Sequence, residues 1–166
     1  MILQIDDWKF DTDMTSTMEY SAGELTEHCD CAYCRNFYAT VDDTYPKLRP
    51  FLAQFGLEIQ APEELMPFDL PDGMSYDAAY AVAGRILSRG KGLLFLDGIY
   101  IAPEVDTQIE HSKLNPCFYL TIDDLVLPWV LDEPMEEVVS PANFPTFLKR
   151  MWDKLLRKQP KTQQKS

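Results

Sequence analysis

Residues His28-Cys29-Asp30-Cys31-Ala32-Tyr33-Cys34 gather three of the chain's four cysteines and one of its two histidines into seven positions. Thiolate and imidazole are the donors zinc prefers, and two of them separated by two residues form the usual short chelate arm. Cys31 and Cys34 make one such arm. His28 or Cys29 supplies a third donor from the preceding turn, and the fourth has to come from far along the chain, where Cys117 and His111 are the remaining residues of suitable chemistry. The candidate metal set is therefore His28, Cys29, Cys31, Cys34 and Cys117, with zinc as the ion. A second Cys-x-x-Cys arm, which would complete a closed site, is not in the sequence.

Two other readings of the same residues stay open. Cys31-Ala32-Tyr33-Cys34 looks like the dithiol of a glutaredoxin, in which a helix N-terminus lowers the pKa of the first thiol. That architecture needs a strand leading straight into the dithiol and a parallel sheet behind it. Ser21 to Glu27 is too polar for such a strand, and the acidic neighbours Glu27 and Asp30 oppose thiolate formation. The third reading has the cysteines as small, partly buried residues of a reduced protein. Arg35 and Asn36 stand beside the cluster as groups able to brace it through thiolate or backbone.

Around this stretch the pattern changes along the chain. Ile2 to Phe10 alternates as a strand, Asp11-Thr12-Asp13 reads as a turn, and the threonine-rich Met14 to Tyr20 as the returning arm of a hairpin. From Cys31 the spacing of Tyr33, Phe37 and Tyr38 is helical, with Asp30 as N-cap and Asp42-Asp43-Thr44 as the interruption. A second helix is expected from Pro46 to Phe55, kinked or restarted at Pro50 and closed by Gly56. Ala61 to Leu65 reads as one helical turn. Tyr76 to Leu87 is rich in alanine but alternates in tyrosine and aliphatic residues, which favours a strand. Leu93 to Leu96 and Ile99 to Ile101 flank Asp97-Gly98, the strongest short hairpin signal present. Cys117 to Val126 is a further strand, ended by Pro128. Phe144, Phe147, Leu148, Met151, Trp152, Leu155 and Leu156 trace an amphipathic helix expected to pack on its own sheet.

Strands and helices without regular β-α-β alternation predict an α+β fold, with an antiparallel sheet, a short helical region after the cysteines and a C-terminal amphipathic helix. One domain over residues 1–159 and a flexible polar tail over 160–166 are expected from 166 residues of ordinary apolar content. Nothing at the start resembles a signal peptide, because Asp6, Asp7 and Lys9 interrupt the apolar residues early, and none is expected. A cytoplasmic setting with reduced cysteines follows as an expectation.

The net charge of −12 is uneven, since residues 141–166 carry seven basic side chains against Asp153 alone. The rest of the chain is strongly acidic, which disfavours nucleic acid and anionic membranes as partners. Phosphate loops, His-Glu-x-x-His pairs and Gly-x-Ser-x-Gly elbows are absent from the sequence. The acidic doublets, Asp123-Asp124 among them, point their carboxylates apart and read as surface charge.

The cysteine stretch, read on from Glu27 through Arg35-Asn36-Phe37, resembles the signature of an uncharacterised bacterial and phage-associated family with a His-Cys-x-Cys-x-x-Cys-Arg-x-Phe motif. Phe55-Gly56-Leu57 with Pro62-Glu63-Glu64, Tyr76-x3-Tyr80-x3-Gly84-x-Ile86 and Leu127-Pro128-Trp129-Val130-Leu131 are similar to its later segments. The resemblance implies a strand at Tyr76 and no established activity. The leading functional reading is a non-enzymatic domain that binds a partner protein, its cysteine cluster holding structural zinc. The alternatives are a metal- or thiol-dependent enzyme acting at Cys29, Cys31 and Cys34, and an acidic inhibitor that mimics nucleic acid.

Overall fold

The computed structural model describes residues 1–24, 29–70, 73–105 and 114–135, all within the unit Met1–Glu136. Among these residues an antiparallel sheet of seven strands carries three helices, the α+β class expected from the sequence. The stretch Phe144 to Leu156, the expected tail, His28 and His111 lie outside the described residues.

The first strand divides in two. β1 (Ile2–Ile5) and β2 (Trp8–Thr12) form a tight hairpin about Asp6-Asp7, with Ile5 opposite Trp8 and Asp6 at φ 52°. The expected turn at Asp11 to Asp13 instead launches a helix, α1 (Met14–Glu24). Asp13 caps it, accepting from the Ser16 N–H at 3.1 Å and from the Ser16 hydroxyl at 2.8 Å. The hairpin arm expected over Met14 to Tyr20 is thus a helix, and its buried face explains the error. α1 buries Thr17 and Ser21 rather than aliphatic side chains. The Thr17 hydroxyl takes the Ala83 N–H at 3.0 Å, and the Ser21 hydroxyl takes the Glu58 N–H at 3.2 Å. Helical periodicity in apolar residues is the signal that such a helix does not emit.

α2 (Ala32–Thr44) buries Asn36, Phe37, Thr40 and Val41 on one face. Cys31, not Asp30, occupies the N-cap position, and no side chain caps there. Asp42-Asp43-Thr44 continues the helix instead of interrupting it. Carboxylates near a helix C-terminus oppose its dipole, but the Arg49 guanidinium grips Asp42 and offsets this. α3 (Leu48–Ala53) is shorter than expected and has Pro50 in its first turn, where a backbone N–H would have no helical partner anyway. No kink is required. Gly56, at φ 81°, closes it as anticipated, with Leu57 N–H on Leu52 O and Gly56 N–H on Ala53 O, the paired bonds of a Schellman motif.

Ala61 to Leu65 is not a helical turn. Glu63 N–H bonds Ala79 O at 2.8 Å, and the chain goes on as β3 (Glu64–Leu70) along β4 (Gly73–Ser88). β4 organises the sheet. One edge pairs with β3 over Gly73 to Ala79 and then with β2 over Gly84 to Ser88, while the other pairs with β7 (Cys117–Leu127) from Met74 to Ala83. Its alternation now has a cause. Tyr76, Ala78, Tyr80 and Val82 are buried on one face, and Ala79, Ala81 and Ala83 are buried on the other. A strand covered on both faces uses alanine where neighbours come close, which makes its composition look helical. Gly84 is dictated by such an approach, since a Cβ there would lie 2.1 Å from Asp11 O.

β5 (Leu94–Leu96) and β6 (Ile99–Glu104) form the expected hairpin, with Asp97 at φ 53° and Gly98 at φ 93° as the two-residue turn requires. The strand order is β1-β2-β4-β7-β6-β5, with β3 beside β4. Phe10 meets Phe55 at 5.3 Å and Phe118 at 5.4 Å between ring centres, and these fully buried rings tie sheet to helices. No helix among the described residues is long and apolar enough to cross a membrane.

Candidate metal centre

Three thiols meet at the start of α2. Cys29 precedes the helix, Cys31 is its N-cap and Cys34 lies in its first turn, so Cys31 and Cys34 share a face at the i, i+3 spacing. The Sγ atoms of Cys29, Cys31 and Cys34 all lie within 4.8 Å of one another. A zinc ion with bonds of about 2.3 Å to sulfur needs its sulfurs about 3.8 Å apart, so the trio requires only a small contraction to hold one. Cys29 and Cys31 are exposed and Cys34 is half-buried; all three are free thiols. The donor set fits a soft or borderline metal ion.

The scaffold beneath the thiols is firm. Asn36, fully buried one turn below, donates to Pro128 O at 3.0 Å and to the Tyr76 hydroxyl at 3.2 Å, and accepts from the Val130 N–H at 2.9 Å. The Tyr76 hydroxyl in turn donates to Tyr33 O at 3.0 Å. Arg35 holds the loop from the other side through Asp30 O and the Glu133 carboxylate. The expected bracing by Arg35 and Asn36 thus runs through backbone. Arg35 grips the loop between Cys29 and Cys31, and Asn36 fixes the helix against the segment after β7.

The electrostatics separate the thiols. The Cys31 N–H, followed by the side chains of Cys31 and Cys34, lowers the Cys29 pKa from its ordinary value. Burial and Asp30 push the other way, so the opposition expected from Asp30 is present but outweighed. Burial first, then hydrogen bonding to the other two thiols, pushes Cys34 up to about 12. Tyr38 is raised as well, by burial and then by its proximity to Cys34.

All three cysteines line a cleft of about 330 Å³. Tyr33 and Tyr38 extend their wall, and the opposite wall comes from the segment Ala61 to Pro67, including Glu63 and Leu65. Glu63 accepts from the Tyr20 hydroxyl at 2.8 Å. Tyr38 follows Cys34 by one turn of α2, so helix geometry alone places it beside the thiols. Glu63 reaches the cleft only because its segment runs alongside β4, which nothing local in the sequence signals.

Cys117, the expected distant ligand, does not join the group. It opens β7 and packs against Ala81, Ala83 and Leu114, with its pKa raised by burial and then by the charge of Glu63. Its strand register places it opposite Ala83, at the far end of the β4–β7 pairing from Tyr76, whose hydroxyl touches α2. The glutaredoxin-like alternative requires a parallel sheet, whereas every strand pair among the described residues is antiparallel. Compared with family models, curated proteins and solved structures, the chain finds no match in any of the three.

Proposed function

We propose that this domain is a zinc-binding protein and that Cys29, Cys31 and Cys34 are the ligands it contributes. The observation that carries the reading is the convergence of three sulfurs within 4.8 Å at the start of a helix that is fixed from beneath. Thiolate ligands hold zinc strongly at neutral pH, and binding releases their protons. Metal binding gives the three thiols gathered at this helix start a common partner. With zinc bound, all three become thiolates and the hydrogen bonds among them give way to metal bonds.

Purified under reducing conditions, the protein is expected to carry close to one zinc per chain by elemental analysis, and Cys31→Ser or Cys34→Ser to lose it. Freshly purified protein that contains no metal and takes up none on titration with zinc would defeat the proposal.

A further inference from the structure

We infer that the zinc ion keeps one coordination position open to the cleft and accepts there a small uncharged molecule with an apolar body and a nitrogen donor. The inference rests on the zinc reading and adds to it a ligand class. Zinc takes four ligands, and sites with three protein donors leave the fourth position to solvent or substrate. Among the described residues the metal-ligating group comprises Cys29, Cys31 and Cys34 and no fourth His, Cys, Asp or Glu. A closed structural site is normally sealed, but here Cys29 and Cys31 are exposed and all three thiols face a shared space.

That space is of ligand size. At about 330 Å³ the cleft falls at the small end of the range in which proteins hold organic molecules, roughly 300–1,000 Å³. Its walls set the chemistry. Pro62, Leu65 and Pro67 offer aliphatic surface, and the rings of Tyr33 and Tyr38 offer flat apolar faces. The charges that line the cleft are of one sign. Zinc with three thiolates carries a net negative charge and Glu63 is in the wall, whereas Asp30, between two of the ligands, is paired with Arg35 away from the lining. A carboxylate or phosphate entering here meets like charge at short range, whereas a neutral nitrogen donor meets none. A neutral heteroaromatic amine or imidazole satisfies the metal and the walls together.

Cobalt(II) in place of zinc makes the test visible, because its d–d absorption reports the number and kind of donors. Imidazole added to the cobalt-loaded full-length protein should shift these bands saturably, at a concentration at least tenfold below that needed for acetate. Leu65→Trp, which narrows the cleft without touching a thiol, should retain cobalt and weaken the imidazole response at least tenfold. Bands that do not move with imidazole, while cobalt stays bound, overturn the inference and leave the zinc reading standing, because a side chain of the protein then fills the fourth position. Acetate acting as readily as imidazole overturns the ligand class. Failure to take up cobalt or zinc at all overturns the zinc reading and this inference with it.

Discussion

The two ends of the exposed-to-buried gradient along α2 are only one turn apart, yet they behave as different materials. Around Asn36, Phe37, Thr40 and Val41 the helix is sealed, and its one buried amide makes three hydrogen bonds, to Tyr76, Pro128 and Val130. Around Cys29 and Cys31 it is open, uncapped by any side chain, and its polar groups look to solvent. The comparison shows how a small fold can present reactive groups at fixed positions without burying them. Rigidity is supplied by the turn below, so the lip itself is free to consist of residues chosen for chemistry. A buried amide is tolerated while every partner is kept and costs about 1–3 kcal/mol when one is lost, which makes this lower turn the less forgiving of the two.

Substitutions can break or sharpen that contrast. Phe37→Ala strikes the sealed turn, where the ring is fully buried and packs at 5.4 Å from Tyr76. It should cost about 3–5 kcal/mol in urea or thermal unfolding. A loss under 1 kcal/mol would mean that the helix is not anchored there. Tyr76→Phe keeps the ring but removes one of the three hydrogen bonds of the Asn36 amide and the donor to Tyr33 O, and should cost about 1–3 kcal/mol by the same measurement.

Asp77 tests the sheet that carries this anchor. Burial, helped by the charges of Asp123 and Asp124, pushes its pKa up from 3.8 to about 6, against the Asp124 N–H that it accepts at 3.0 Å. A folded-state pKa above the unfolded value means that this group's contribution is fully present below about pH 4 and is lost as pH rises through about 6. Asp77→Asn keeps an oxygen for the Asp124 N–H and sheds the charge. It should raise stability at pH 8 by about 1 kcal/mol, discounted for solvent screening, with the gain fading below pH 4. Melting curves across that range check both the sign and the window.

Cys29→Ser, at the open lip, should change the stability of the metal-free protein by less than about 0.5 kcal/mol. In the unsubstituted metal-free protein, alkylation at mildly alkaline pH should reach Cys29 before Cys34, as peptide mass analysis would show. Cys34 labelling first would reverse the assigned order of the thiols.

The cysteine cluster was more legible in the sequence than its setting. Three of the expected donors converge because they are local: helix geometry puts Cys31 and Cys34 on one face, and Cys29 lies only two residues before the N-cap. Cys117 was proposed from residue type, and type says nothing about which end of a strand a residue occupies. The Asp97-Gly98 hairpin and the Gly56 cap were legible because left-handed backbone leaves a residue-level mark. α1 was not, because its buried contacts are hydroxyl to backbone and its partners, Ala83 and Glu58, are tens of residues away. The same holds for Ala61 to Leu65, whose local proline and glutamates suit a helix start until β4 offers a ladder.

The position of β4 also fixes an order of events during synthesis. Its partners on one edge, β2 and β3, precede it in the chain, so that edge can be satisfied as soon as Ser88 has left the ribosome. The other edge, from Met74 to Ala83, has to wait for Cys117 to Leu127. In the interval a nascent chain displays ten residues of unpaired, apolar strand edge, the kind of surface that recruits other chains. A delay after Ser88 has emerged and before Leu127 has would therefore prolong the exposure of that edge.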